Sequence, residues 1–102
     1  MKIGIVALTR GGRILAEKLA RSLEHADILN KEGKARVADT IARAWPHYDG
    51  IICIMAAGIV VRAIAPLVRD KLTDPCVVVL DEKGRHVVSL LSGHIGGGND
   101  LS

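Results

Sequence analysis

Three short, continuous apolar runs restrict the fold of this chain more than any other feature. They are Lys2–Leu8, Gly50–Met55 and Cys76–Leu80. Each is too short for a buried helix and lacks the polar alternation of a strand with one wet face. Such runs are strands covered on both sides, the usual state of a parallel sheet. The segments between them carry helical spacing. Ile14, Leu15, Leu19 and Leu23 mark a helix over Arg13–Leu23, after a turn at Thr9-Arg10-Gly11-Gly12. Val37, Ile41 and Trp45 stand four apart on a helix over Lys34–Trp45, which Pro46 ends. Ile59–Val68 reads as a third helix, kinked or divided by Pro66.

Ala26–Leu29 fits a short second strand, and Asn30-Lys31-Glu32-Gly33 is polar turn material. Asp81–Arg85, with Gly84 at a left-handed position, reads as a hairpin turn into a fifth strand over His86–Leu91. Strand–helix alternation followed by a hairpin predicts an α/β fold. It is a three-layer α/β/α domain with a mixed, mostly parallel sheet of about five strands. The first and third strands are expected to be parallel neighbours. At 102 residues the chain has one core, so 1–102 is expected to be a single α/β domain.

Composition narrows the function. With 49% hydrophobic and 25% charged residues the chain is globular, not disordered. A net charge of +3 suits an anionic ligand, but Trp45 and Tyr48 are the only aromatics, so no base-stacking platform for nucleic acid is expected. No apolar run approaches the roughly 20 residues that span a bilayer, and the start lacks the pattern of a signal peptide. The expected location is the cytoplasm, with no membrane partner. Cys53 and Cys76 lie in apolar runs and read as buried free thiols. His25, His47 and His86 are scattered, and no paired His or Cys spacing suggests a protein-held metal.

Three turns carry the candidate chemistry. Ser92-Gly93-His94-Ile95-Gly96-Gly97-Gly98-Asn99-Asp100 is a Gly-rich loop that matches neither the dinucleotide fingerprint nor the Walker loop. Its glycines either admit a ligand to the backbone or simply make a tight connection. His94 is a candidate acid or base, with a structural role as the alternative. Met55-Ala56-Ala57-Gly58 leaves a strand end where parallel sheets bind ligands, and Arg62, about one turn into the next helix, is either a carboxylate clamp or a solvated side chain. Thr9 and Arg10 occupy the equivalent turn after the first strand. Asp70–Pro75 reads as a solvated connection. No G-x-S-x-G elbow or Ser-His-Asp order supports a serine hydrolase.

The motifs Ala57–Leu67, Asp70–Pro75 and Leu90–Gly97, in this order and together with Ile5–Arg10, resemble the N-terminal region of the cobalt-precorrin 5A hydrolase family of anaerobic cobalamin biosynthesis. Gly98 stands where the family usually has Ala, and family members continue well beyond this length, so the chain looks shortened at its C-terminal end. The resemblance implies a hydrolase that opens the δ-lactone of cobalt-precorrin 5A and releases acetaldehyde to give cobalt-precorrin 5B. It implies a tetrapyrrole substrate that brings its own cobalt, so no separate cofactor. On it His94 is the candidate catalytic acid/base, and Thr9, Arg10, Gly58, Arg62, Gly93, Gly96, Gly97, Gly98 and Asn99 are candidate substrate contacts. The alternatives are a non-catalytic module gripping tetrapyrrole carboxylates, or a flavodoxin-like nucleotide-binding or signalling domain. A homo-oligomer, or docking to further domains, is expected to cover apolar surface. The third-to-fourth strand crossover followed by a hairpin predicts that His94 lies nearer Thr73-Asp74 than Gly58.

Overall fold

The structure, a computed structural model, describes residues 1–30 and 36–91. The elements run β1 (Ile3–Ala7), α1 (Arg10–Ser22), β2 (Ala26–Ile28), α2 (Val37–Ala44), β3 (Gly50–Ile54), α3 (Ala57–Ile64), β4 (Cys76–Leu80) and β5 (Val87–Leu91). They form one five-stranded sheet of order β2-β1-β3-β4-β5. β1 is parallel to both β2 and β3, β3 is parallel to β4, and β5 returns antiparallel to β4.

The uninterrupted apolar runs have the expected cause: β1, β3 and β4 are buried along their whole length. Alternate residues feed two separate cores. Val6, Ile51, Cys53, Val77 and Val79 pack with Ile41 and Ala44 of α2 and Val60, Ala63 and Ile64 of α3. Ile3, Ile5, Ala7, Ile52, Ile54 and Leu80 pack on the other face around Ala16, with Leu15, Leu19 and Leu23 of the α1 side. One helix on one face and two on the other make the three layers.

Two helix boundaries differ from the sequence expectation. α1 starts at Arg10, not Arg13, because Thr9 caps it: its hydroxyl accepts the Gly12 N–H at 3.0 Å. The paired glycines that suggest a turn are the helix's first turn. Gly12 is buried there, where a Cβ would come 3.2 Å from Ile54 Cγ2, so the glycine sets how closely α1 approaches β3. α3 spans Ala57–Ile64 instead of Ile59–Val68. Pro66 has no N–H to continue the ladder, and Leu67 and Val68 both donate back to the Ile64 carbonyl in a closing turn.

The β4–β5 hairpin is tightly made. Gly84 takes φ +71°, and its N–H donates to the Asp81 carbonyl at 2.9 Å. The Asp81 carboxylate accepts the His86 N–H at 2.8 Å. That bond is the main cause of an Asp81 carboxyl pKa below its usual value.

Candidate binding crevice at the carboxyl edge of the sheet

From β1 the chain passes to β2 on one side, and from β3 to β4 on the other. The strand order therefore reverses between β1 and β3, the position at which open α/β sheets form their ligand crevice. Parallel pairing of Ala7 with Ile54 brings the β1–α1 and β3–α3 turns out side by side. Thr9 and Arg10 thus share this edge with Ala56, Ala57 and Gly58, and all five are exposed. A Cβ added at Gly58 would meet nothing within 4 Å among the described residues. Among the described residues nothing requires glycine there. Leu8 and Ile59, each 42% exposed, add apolar surface to the two turns that flank the crevice.

Two residues passed over in the sequence belong to this edge. Glu82, read as hairpin-turn material, accepts a hydrogen bond from the Thr9 hydroxyl at 2.5 Å. Its carboxylate lies where a side chain at Gly11 would go: a Cβ there would be 2.9 Å from Glu82 Oε2. Glu82 thus reaches from the exit of β4, past β3, to the start of α1. Asn30, read as turn material, is buried. Its amide donates to the Ala7 carbonyl at 2.6 Å and accepts the Ala7 N–H at 3.3 Å, completing the β1 ladder where β2 has ended. No local signal marks Glu82. For Asn30 the only hint was its place directly after a short strand.

The other candidates are distributed differently. Arg62 falls in the last turn of α3, since the helix starts two residues earlier than expected. It stands about 7 Å along the axis from Ala57, not one turn in. His94, Gly93, Gly96, Gly97, Gly98 and Asn99 lie outside the described residues, as does the expected ordering of His94, Thr73 and Gly58. Leu91, where β5 ends, pairs with Val77 near the amino end of β4 and lines a cavity with Asp70, Asp74 and Pro75. The Gly58 turn and the end of β5 therefore occupy opposite edges of the sheet.

Asp70–Pro75 is more than a solvated connection. Asp74 is buried, and its Oδ2 accepts the N–H groups of Arg69 at 2.8 Å and Asp70 at 3.0 Å. Its Oδ1 accepts the Trp45 indole N–H at 3.4 Å. The motif is a staple between the loop after α3 and the end of α2. Cys53 and Cys76 are buried free thiols, and burial pushes the Cys53 thiol up to about 12. Among the described residues no three His, Cys, Asp or Glu side chains group as a metal site, and no helix is long and apolar enough to cross a membrane.

The strand order and crevice define a doubly wound α/β domain with a flavodoxin-like sheet order and an antiparallel last strand. The family model described as Cobalamin synthesis G N-terminal matches residues 39–102, and this chain belongs to that family. It is 46% identical to cobalt-precorrin-5A hydrolase of Salmonella typhimurium, over 98% of this chain and 31% of the relative. It is 39% identical to cobalt-precorrin-5A hydrolase of Priestia megaterium, over 96% of the chain and 30% of the relative. The crystal structure of a cobalamin biosynthesis protein G homologue from Sulfolobus solfataricus superposes with a TM-score of 0.75 at 28% identity, covering 98% of this chain and 32% of that one. The chain spans about a third of the length of the curated relatives it matches.

Proposed function

We propose that this chain acts as the N-terminal domain of a cytoplasmic cobalt-precorrin 5A hydrolase and contributes the β1–β3 crevice to its substrate site. The observation that carries this is the 46% identity to a cobalt-precorrin-5A hydrolase along nearly the whole chain. The crevice suits such a substrate. Leu8 and Ile59 offer apolar surface for a macrocycle face, the space left open at Gly58 by the described residues admits close approach, and Arg10 is a carboxylate partner. Cobalt arrives as part of the substrate. His94 is the proposed acid/base from the sequence, with Gly93, Gly96, Gly97, Gly98 and Asn99 as further contacts.

A second reading is that this domain grips tetrapyrrole carboxylates while other domains of the longer protein do the hydrolysis. It is favoured by the short span of the chain relative to its relatives. One experiment bears on both, since turnover by this chain alone would exclude the second. Acetaldehyde release from cobalt-precorrin 5A is measured with this chain alone and joined to the domains its relatives carry, and binding is measured in parallel. We expect turnover only from the longer protein. If the longer protein with Arg10→Ala and Gly58→Arg binds and turns over normally, the crevice is not the substrate site.

A further inference from the structure

We propose that Glu82, in place of the His94 that the sequence suggests, is the general base of this crevice, the carboxylate that activates water for lactone opening; this rests on the hydrolase reading above. Several features of the fold converge on placing this one side chain. The Asp81–His86 bond and the left-handed Gly84 shape the hairpin. Its tip rests on α1, where a Cβ at Gly84 would come 3.5 Å from Leu15 Cδ2. The Thr9 hydroxyl donates to Glu82 Oε2. Gly11 leaves vacant the volume the carboxylate fills. Neither Gly11 nor Glu82 takes part in either core, and an exposed carboxylate needs no such provision to remain soluble.

The surroundings suit acyl chemistry. Of the first N–H groups of α1, those of Gly12 and Arg13 are taken by the Thr9 hydroxyl and carbonyl. Those of Arg10 and Gly11 make no hydrogen bond among the described residues, and Glu82 Oε2 lies 2.9 Å from where a Gly11 Cβ would stand. A base next to such donors is the pairing that ester hydrolysis requires. In the step, Glu82 takes one proton from water as its oxygen bonds to the lactone carbonyl carbon, and the carbonyl π pair moves onto oxygen. When the tetrahedral intermediate collapses, the C=O reforms and the ring C–O bond breaks. The electron pair leaves with the ring oxygen, which takes the proton back from Glu82. Lactone and water become a hydroxy acid, and the carboxylate is restored.

The test uses the full-length hydrolase that carries this domain, with cobalt-precorrin 5A as substrate. Glu82→Gln keeps an acceptor for Thr9 and is expected to fold normally by circular dichroism. It should lower kcat by about 10²–10⁴-fold, the usual contribution of a general base, with little change in KM. Gly11→Ala, which displaces the carboxylate without removing it, should lower kcat in the same direction. Glu82→Ala should recover part of its rate on addition of formate, a small carboxylate that can occupy the space left, whereas Glu82→Gln should not. Wild-type kcat in Glu82→Gln overturns the assignment. So does a loss that appears in KM alone, or one that formate does not restore in Glu82→Ala. A wild type that binds cobalt-precorrin 5A without hydrolysing it overturns the hydrolase reading instead, and the base with it.

Discussion

Thr9 and Glu82, 73 residues apart in sequence, are joined by a hydrogen bond across the exit of β3. The same Thr9 oxygen accepts the Gly12 N–H and so caps α1. One hydroxyl therefore fixes the start of a helix and ties the distant hairpin to it. Thr9→Ala should cost about 1 kcal/mol, the usual worth of an N-cap. For a domain of this size that is a fall in Tm of about 4–8 °C. Thr9→Ser, which keeps the oxygen, should recover most of it in a thermal melt.

Gly58 allows stability and binding to be separated. It has an ordinary helical environment in α3 and open space around its Cβ position among the described residues. Gly58→Ala should leave Tm unchanged or raise it, since alanine is favoured over glycine within helices by about 0.5–1 kcal/mol. Gly58→Arg should fold equally well but block the crevice. Weaker binding of cobalt-precorrin 5A by Gly58→Arg, with an unchanged melt, is the expected outcome.

The elements that could be read from the sequence are those whose cause is local. β1, β3 and β4 announce themselves because burial on both faces removes every polar position. The hairpin at Gly84 was visible because a left-handed turn needs a particular residue. Thr9–Gly12 was read as a turn because two glycines hide a helix start that only the Thr9 cap reveals. Arg62 stands further along its helix than expected because α3 starts two residues earlier, at Ala57, with no capping side chain to mark the boundary. Glu82, Asn30 and Asp74 are not legible in the sequence as site or framework residues. Their partners lie 73, 23 and 29 positions away for the Thr9, Ala7 and Trp45 bonds, and no periodicity encodes such distances. Thr9 and Arg10 share an edge with Gly58, as the rule for parallel sheets implies from strand order, because β1 and β3 pair side by side.

The two thiols should be silent until the chain unfolds. Burial holds Cys53 at about 12 and raises Cys76 as well, with a smaller lowering contribution from a backbone hydrogen bond at Cys76. Thiolate is the reactive form, so an aromatic disulfide reagent at pH 8 should label neither residue in the native state and both in denaturant. For Cys53 the folded value lies above the ordinary 9.0. Its contribution to stability is therefore complete below about pH 9 and is lost as pH rises toward 12. Urea midpoints should fall over that window, and fall less in Cys53→Ala.

Among the described residues Asp74 should be the most stability-sensitive buried polar side chain. It is buried, and its two oxygens answer three donors, two from the backbone at Arg69 and Asp70 and one from the Trp45 indole. Asp74→Ala leaves all three without their acceptor. Even with partial rehydration of the exposed loop, the cost should be about 3 kcal/mol, since a buried donor left unmade costs about 1–3 kcal/mol. Asp74→Asn is milder for a geometric reason. Its amide oxygen can stay at the Oδ2 position, where the two short bonds are made, so the NH₂ faces the indole and only the 3.4 Å contact is lost. Charge assistance goes with it, and the expected cost is about 1 kcal/mol. Trp45 is the single tryptophan of the chain, so its fluorescence reports on this contact directly. Urea titration should rank the variants wild type, Asn, Ala in falling midpoint. The native emission spectrum should already shift in Asp74→Asn, before any unfolding. An unshifted spectrum in Asp74→Asn, or an Ala variant as stable as wild type, would mean that the loop after α3 is held by something other than this carboxylate.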